Sequence, residues 1–156
     1  MCFSNNPDLE ELELRNFDTS NIETMGGMFY HCLKLKKVNL EILNTKNVTI
    51  FSDMFRDCYS IQNLDLSSFK TDKLVYMDNM FQNCYKLETL DISKWNININ
   101  KIYLKDFLDN CNSIKEIKGI EKLFKDGLNH DNYNLAGYCP FLYKVLKIDF
   151  LSRLTE

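Results

Sequence analysis

The sequence carries Met-Phe-Tyr-His-Cys at 28–32, Met-Phe-Arg-Asp-Cys at 54–58 and Met-Phe-Gln-Asn-Cys at 80–84. A cysteine beside a histidine or an aspartate has the residue types of an activated nucleophile or a metal ligand. The spacing argues against both. Structural zinc sites draw on closely spaced cysteine pairs, and the chain has none. His31 and Cys32 are adjacent, and neighbouring residues on a helix do not face each other. No phosphate-binding loop, dinucleotide fingerprint or His-Glu-x-x-His motif is present. The Met-Phe pairs have no ligand set around them for flavin or haem, so no cofactor, no metal and no catalytic residue are expected.

The interval is the stronger signal. Taking Leu35 as the first position of a 26-residue unit, its companions are Leu9, Ile61, Leu87, Ile114 and Leu142. Three residues on come Leu12, Val38, Leu64, Leu90, Ile117 and Val145. Thr19, Thr45 and Thr71 share a slot, as do Met25, Phe51 and Met77. The units close at Cys32, Cys58 and Cys84, then drift to Cys111 and Cys139. A recurring cysteine in one slot reads as a small, buried core residue. Buried free thiols are the favoured reading of these five. A disulfide between neighbouring units and a metal are the alternatives, and disulfides require Cα atoms about 4.4–6.8 Å apart.

Two elements must position these side chains. Leu-x-x-Leu-x-Leu alternates with period two and predicts a short strand. Val48, Phe51, Met54, Phe55 and Cys58 recur at steps of three and four, which predicts one stripe of a helix. Thr45 and Asp72 are read as helix-start residues, and Ser20 with Glu23 as a capping box. Strands stack at about 4.8 Å and helices at roughly 8–10 Å. That mismatch bends such an array, with strands on the concave side. The fold class expected is therefore an α/β repeat: a leucine-rich-repeat solenoid of about five coils, each a short strand plus a helix. One domain is expected over 1–156. Residues 1–8 end a partial repeat, followed by repeats at 9–34, 35–60, 61–86 and 87–113. A degenerate repeat at 114–141 and a C-terminal cap at 142–156 complete it, with Leu135, Leu142, Val145, Ile148 and Phe150 covering the last coil.

The unit at 64–84, LDLSSFKTDKLVYMDNMFQNC, with LDISKW at 90–95, resembles the bacterial-surface-protein (BspA-type) leucine-rich repeat. It is also similar to the mycoplasma lipoprotein repeat. The resemblance implies a cell-surface or secreted protein that binds host proteins or other cells. No basic and apolar leader opens the chain, so a cytoplasmic location is the expectation if this is the whole gene product.

With Leu12, Val38, Leu64 and Leu90 turned inward, the residues between them must face out. The expected binding face is Glu11, Glu13, Lys37, Asn39, Glu41, Asn63, Asp65, Thr89 and Asp91. Asp65 and Asp91 occupy one slot in successive units. They either accept local backbone hydrogen bonds from the serines that follow, or form an acidic stripe for a basic partner. Asp57 and Lys73 are placed on the outward helix side, and His31 outward beside Cys32. The formal charge of −3 argues against nucleic acid as the partner. No apolar run approaches the roughly 18 residues of a membrane span. The function expected is a non-enzymatic module that binds a protein, as an adhesin-type surface protein or as an intracellular adaptor or inhibitor.

Overall fold

In the computed structural model of the chain, residues 2–97, 101–123 and 139–145 are described. Five short strands run parallel: β1 (Glu11–Leu12), β2 (Lys37–Val38), β3 (Asn63–Asp65), β4 (Thr89–Asp91) and β5 (Glu116–Lys118). Their pairings follow the repeat. Leu12 lies beside Val38, and Leu64 beside Leu90 beside Ile117. The strands form two sheets, β1-β2 and β3-β4-β5, with the ladder interrupted between β2 and β3.

The other half of each unit corrects the expected architecture. It is not helical. Among the described residues the helices are α1 (Ile120–Leu123) and α2 (Pro140–Val145), four and six residues long and both beyond the regular units. The Met-Phe segments are instead successive turns. In 51–58, the amides of Met54, Arg56 and Cys58 close turns onto Phe51, Asp53 and Phe55. The amides between them, at Phe51, Asp53, Phe55 and Asp57, donate to Tyr76, Asp78, Met80 and Gln82 of the next unit at 2.7–2.9 Å. From Asp53 to Cys58 the backbone donors thus alternate between the neighbouring unit and a local turn, so each N–H group there has a partner.

The cause is conformational. Gly27, Asp53, Asn79 and Asp106 have φ of 54–62°, and His31, Asp57, Asn83 and Asn110 have φ of 60–63°. A left-handed residue every fourth position stops a right-handed helix from continuing, and Asn, Asp and Gly adopt that region most readily. Apolar spacing of three and four survives because each turn returns the chain to the same side. The capping-box and helix-start roles given to Ser20, Glu23, Thr45 and Asp72 therefore fall. Thr45 does begin a turn, with the Val48 amide donating to its carbonyl at 3.0 Å. A strand-plus-helix leucine-rich-repeat solenoid does not describe this chain. The argument for a concave strand side falls with it, since both flanks join unit to unit by backbone hydrogen bonds and no spacing mismatch remains.

The core runs through the stack as a column of phenylalanines. Phe3, Phe29, Phe55 and Phe81 follow one another at centroid distances of 5.7, 5.2 and 5.8 Å, nearly parallel, and Phe107 meets Phe81 edge-on at 5.2 Å. Trp95 is buried beside Phe51 and satisfies its indole N–H on the Leu66 carbonyl at 2.9 Å, as a buried indole requires. Gly119, at φ 89°, lies so close to β4 that a Cβ there would fall 2.6 Å from the Ser93 Cα. Leu142 of α2 is buried in the same core. Leu135, Ile148 and Phe150 of the expected cap lie outside the described residues.

Candidate binding face

Alternation along the short strands places their polar residues outside. Glu11 and Lys37 are register partners, as are Asn63, Thr89 and Glu116 in the second sheet, and Asp65, Asp91 and Lys118. The expected residues border two shallow depressions, one per sheet. Glu11, Leu12, Glu13, Lys37, Asn39 and Glu41 line the first, and Asn63, Asp65, Thr89, Asp91, Glu116 and Lys118 line the second. Glu116 and Lys118 were missed, although Ile117 between them already occupied the strand slot in the sequence.

Several of these side chains serve the fold. Asn39 is half-buried, accepts the Leu14 amide at 2.6 Å and donates to the Leu14 carbonyl at 3.1 Å. Asp65 accepts the Ser67 amide, and Asp91 the Ser93 amide, each at 2.9 Å. The two aspartates thus take the local backbone role. Hydrogen bonds from Ser93, with the Lys118 and Lys94 charges further off, hold the Asp91 carboxyl below its ordinary range. Lys118 lies 3.9 Å from Asp91 and offsets its repulsion with Asp65. Thr89 donates to the Asn63 amide oxygen at 2.6 Å. Arg15 is tied to Glu13 at 2.7 Å, both exposed. Glu11, Lys37, Glu41 and Glu116 make no side-chain hydrogen bond or ion pair among the described residues.

The cysteines occupy the closing slot of the turn flank. Cys32, Cys58, Cys84, Cys111 and Cys139 are fully buried, and Cys2 is exposed. Cys32, Cys58, Cys84 and Cys111 donate from Sγ to the carbonyls of Phe3, Phe29, Phe55 and Phe81 at 3.0–3.2 Å. All six thiols are free. Burial pushes the Cys32, Cys58 and Cys84 thiols up and that of Cys139 to about 12. A thiol held protonated is a poor nucleophile and a poor metal ligand. Among the described residues no group of three His, Cys, Asp or Glu side chains is placed to hold a metal ion.

The left-handed turn residues form a second internal ladder that sequence reading misplaced. Asp57, expected to point outward, is only 8% exposed. Its carboxylate accepts from Asn83 at 2.7 Å, and Asn110 donates to Asn83 at 2.9 Å. His31 is half-buried, with 41% of its side chain exposed and Nδ1 turned to within 3.7 Å of Asp57. Lys73 is exposed as expected and donates to Asn47 at 2.8 Å. The shared Thr slot also has a role the sequence did not disclose. Thr19, Thr45 and Thr71 are buried, and each hydroxyl both donates to and accepts from the backbone of one residue in the next unit, at Asn44, Lys70 and Asn96.

Among the described residues no helix is long and apolar enough to cross a membrane. Comparison with curated proteins and with solved structures finds no match. Residues 1–127 match the family described as "Mycoplasma protein of unknown function, DUF285". That match takes in β1 to β5 and every regular unit of the stack, and the chain belongs to this family.

Proposed function

We propose that the chain is a non-enzymatic protein-binding module that works through its strand face. The observation that carries this reading is the register. Parallel pairing sets residues about 26 positions apart side by side, so Glu11 with Lys37, and Asn63 with Thr89 and Glu116, form continuous outward rows. The depressions they border are open to solvent and mix polar and apolar lining, which suits a protein surface better than an enclosed small molecule. Glu11, Glu13, Glu41, Asp65, Asp91 and Glu116 face Arg15, Lys37 and Lys118, so the excess is acidic and favours a basic partner.

The likeness of 64–84 to bacterial surface-protein repeats supports an adhesin-type role at the cell surface. An intracellular adaptor or inhibitor is the second reading. It is favoured by the five buried, unpaired thiols, since reducing compartments keep cysteines in that state. Protease treatment of intact cells separates the two, because only a displayed chain is cleaved.

The binding test compares the immobilised chain with an Asp65→Lys/Asp91→Lys variant and a Lys73→Glu control. A partner held by the chain and the control, released by added salt and lost by the double variant, supports the strand face. A partner that the double variant holds as well as the parent removes it. Circular dichroism of each protein guards against misfolding.

A further inference from the structure

The flank opposite the strands carries an exposed aromatic surface that the strand-face reading does not use. Parallel bridges join Thr24 to Ile50, Ile50 to Tyr76 and Tyr76 to Tyr103. Tyr103 is 59% exposed and Tyr76 42%. Their rings stack at 4.9 Å with planes 13° apart. Along 101–105 the chain alternates, with Ile102 and Leu104 buried and Lys101, Tyr103 and Lys105 outward. The two lysines thus lie two residues to either side of Tyr103 and are exposed like it, on a segment that meets its neighbour through the single bridge at Tyr103. Neither ammonium has an ion pair among the described residues. The adjacent acid, Asp78, is engaged through Oδ1 by the Lys105 backbone amide at 2.9 Å.

We propose that Tyr76, Tyr103, Lys101 and Lys105 form a docking surface for an extended acidic segment of a partner protein. Two carboxylates four residues apart would meet the lysines, and an apolar or aromatic residue midway would lie on the tyrosines. The charge pattern selects this occupant. On a chain of net charge −3 the strand face is mainly acidic, whereas the outward residues of 101–105 are two lysines and a tyrosine. The stacked pair, with Tyr103 still 59% exposed, offers apolar ring surface and hydroxyl groups between two cations, a mixed surface that suits a peptide side chain flanked by carboxylates. A mutually stacked pair is also ordered before binding, which lowers the entropy lost on contact. Tyrosine is enriched among the residues that dominate interface energy.

The test uses a fluorescein-labelled peptide, Ser-Glu-Ser-Tyr-Ser-Glu-Ser, titrated by anisotropy against the full chain at low salt. Binding that weakens with salt is expected. It should fall by about tenfold or more for Tyr103→Ala and for Lys101→Glu/Lys105→Glu. The same peptide with lysines for glutamates should bind the double reversal more tightly than the parent when both also carry Asp65→Lys/Asp91→Lys, which removes the acidic strand face as a competing site. Asp65→Lys/Asp91→Lys should leave peptide binding unchanged, which keeps this result separate from the strand-face test. Absence of binding up to millimolar chain overturns the proposal, and so does binding indifferent to the variants. Heparin bound through the two lysines while the peptide is not would assign the surface to an anionic polysaccharide instead. Concentration-dependent self-association abolished by Tyr103→Ala would assign it to a second copy of the chain. Circular dichroism establishes that each variant is folded before it is scored.

Discussion

On the bridge flank, each junction between regular units carries at least five backbone hydrogen bonds. Four start at 25, 27, 29 and 31, again at 51, 53, 55 and 57, and again at 77, 79, 81 and 83, and the rest return from Thr49, from Val75 and Tyr76, and from Tyr103. On the strand flank the pairings are two or three residues long, and none joins β2 to β3. The flanks also differ in what their side chains do. Bridge-flank polar groups such as Asp57 and Asn83 are turned onto one another, and the thiols are sealed beneath them. Strand-face polar groups bond locally, as at Asp65 and Asp91, or make single contacts to the next unit, as at Asn39 and Thr89, or have no partner among the described residues, as at Glu11 and Lys37. Order along the stack is therefore held chiefly by the turns. The strands bear residues that can change without unmaking the fold.

The largest expected consequence of this difference appears at alkaline pH. Burial raises the folded pKa of Cys58, Cys84 and Cys139, so the unfolded chain loses these protons first. Stability is then full below the ordinary thiol pKa of 9.0 and falls as pH rises from 9.0 through about 12. Urea titrations at pH 8 and pH 11 should show the decline, and it should be shallower in Cys58→Ala/Cys84→Ala. Equal declines in parent and variant would remove the thiols as its source. In the native protein at neutral pH, Cys2 should label first and the others only on unfolding.

Asp57→Val comes next. It places a β-branched residue in the left-handed region and removes the acceptor of Asn83, at a cost of about 3 kcal/mol or more in urea unfolding. A loss below about 1 kcal/mol would mean that the turn ladder is not what holds the units together.

Thr45→Val keeps the shape and deletes the hydroxyl that both donates to and accepts from Lys70. A loss of roughly 1–3 kcal/mol is expected, because the Lys70 amide is left without its partner. Thr49→Val, on a half-buried residue whose amide keeps its bond to Glu23, is the matched control and should cost less.

The smallest effect belongs to the strand face. Asp65→Ala removes one bond to the Ser67 amide in a solvated setting, worth about 0.5–1.5 kcal/mol. If it matched Asp57→Val, the contrast between the flanks would be lost.

Much of this was legible in the sequence. Leu12 and Val38 became register partners, as did Leu64, Leu90 and Ile117, and the residues between them face outward. The helix was misread because apolar steps of three and four describe a run of turns as well as a helix face. The signal that separates the two was present. Gly27, Asp53, Asn79 and Asp106 recur four residues before His31, Asp57, Asn83 and Asn110, and residues that tolerate positive φ at that spacing break a helix. With the helix assumed, Asp57 was turned outward and the Tyr76–Tyr103 surface had no place. The hydroxyl role of Thr19, Thr45 and Thr71 needed the distance to the next unit, which spacing alone does not supply.

The gap between β2 and β3 has a mechanical meaning. The hydrogen bonds that join successive units point along the stack, so a force drawing its ends apart loads them directly. Most described junctions resist on both flanks. Between 35–60 and 61–86 the bridge flank resists without help from the strands. Under tension that junction should open from its strand side about the row of turns, like a page about its binding, held by the turn bonds and the Thr45–Lys70 pair.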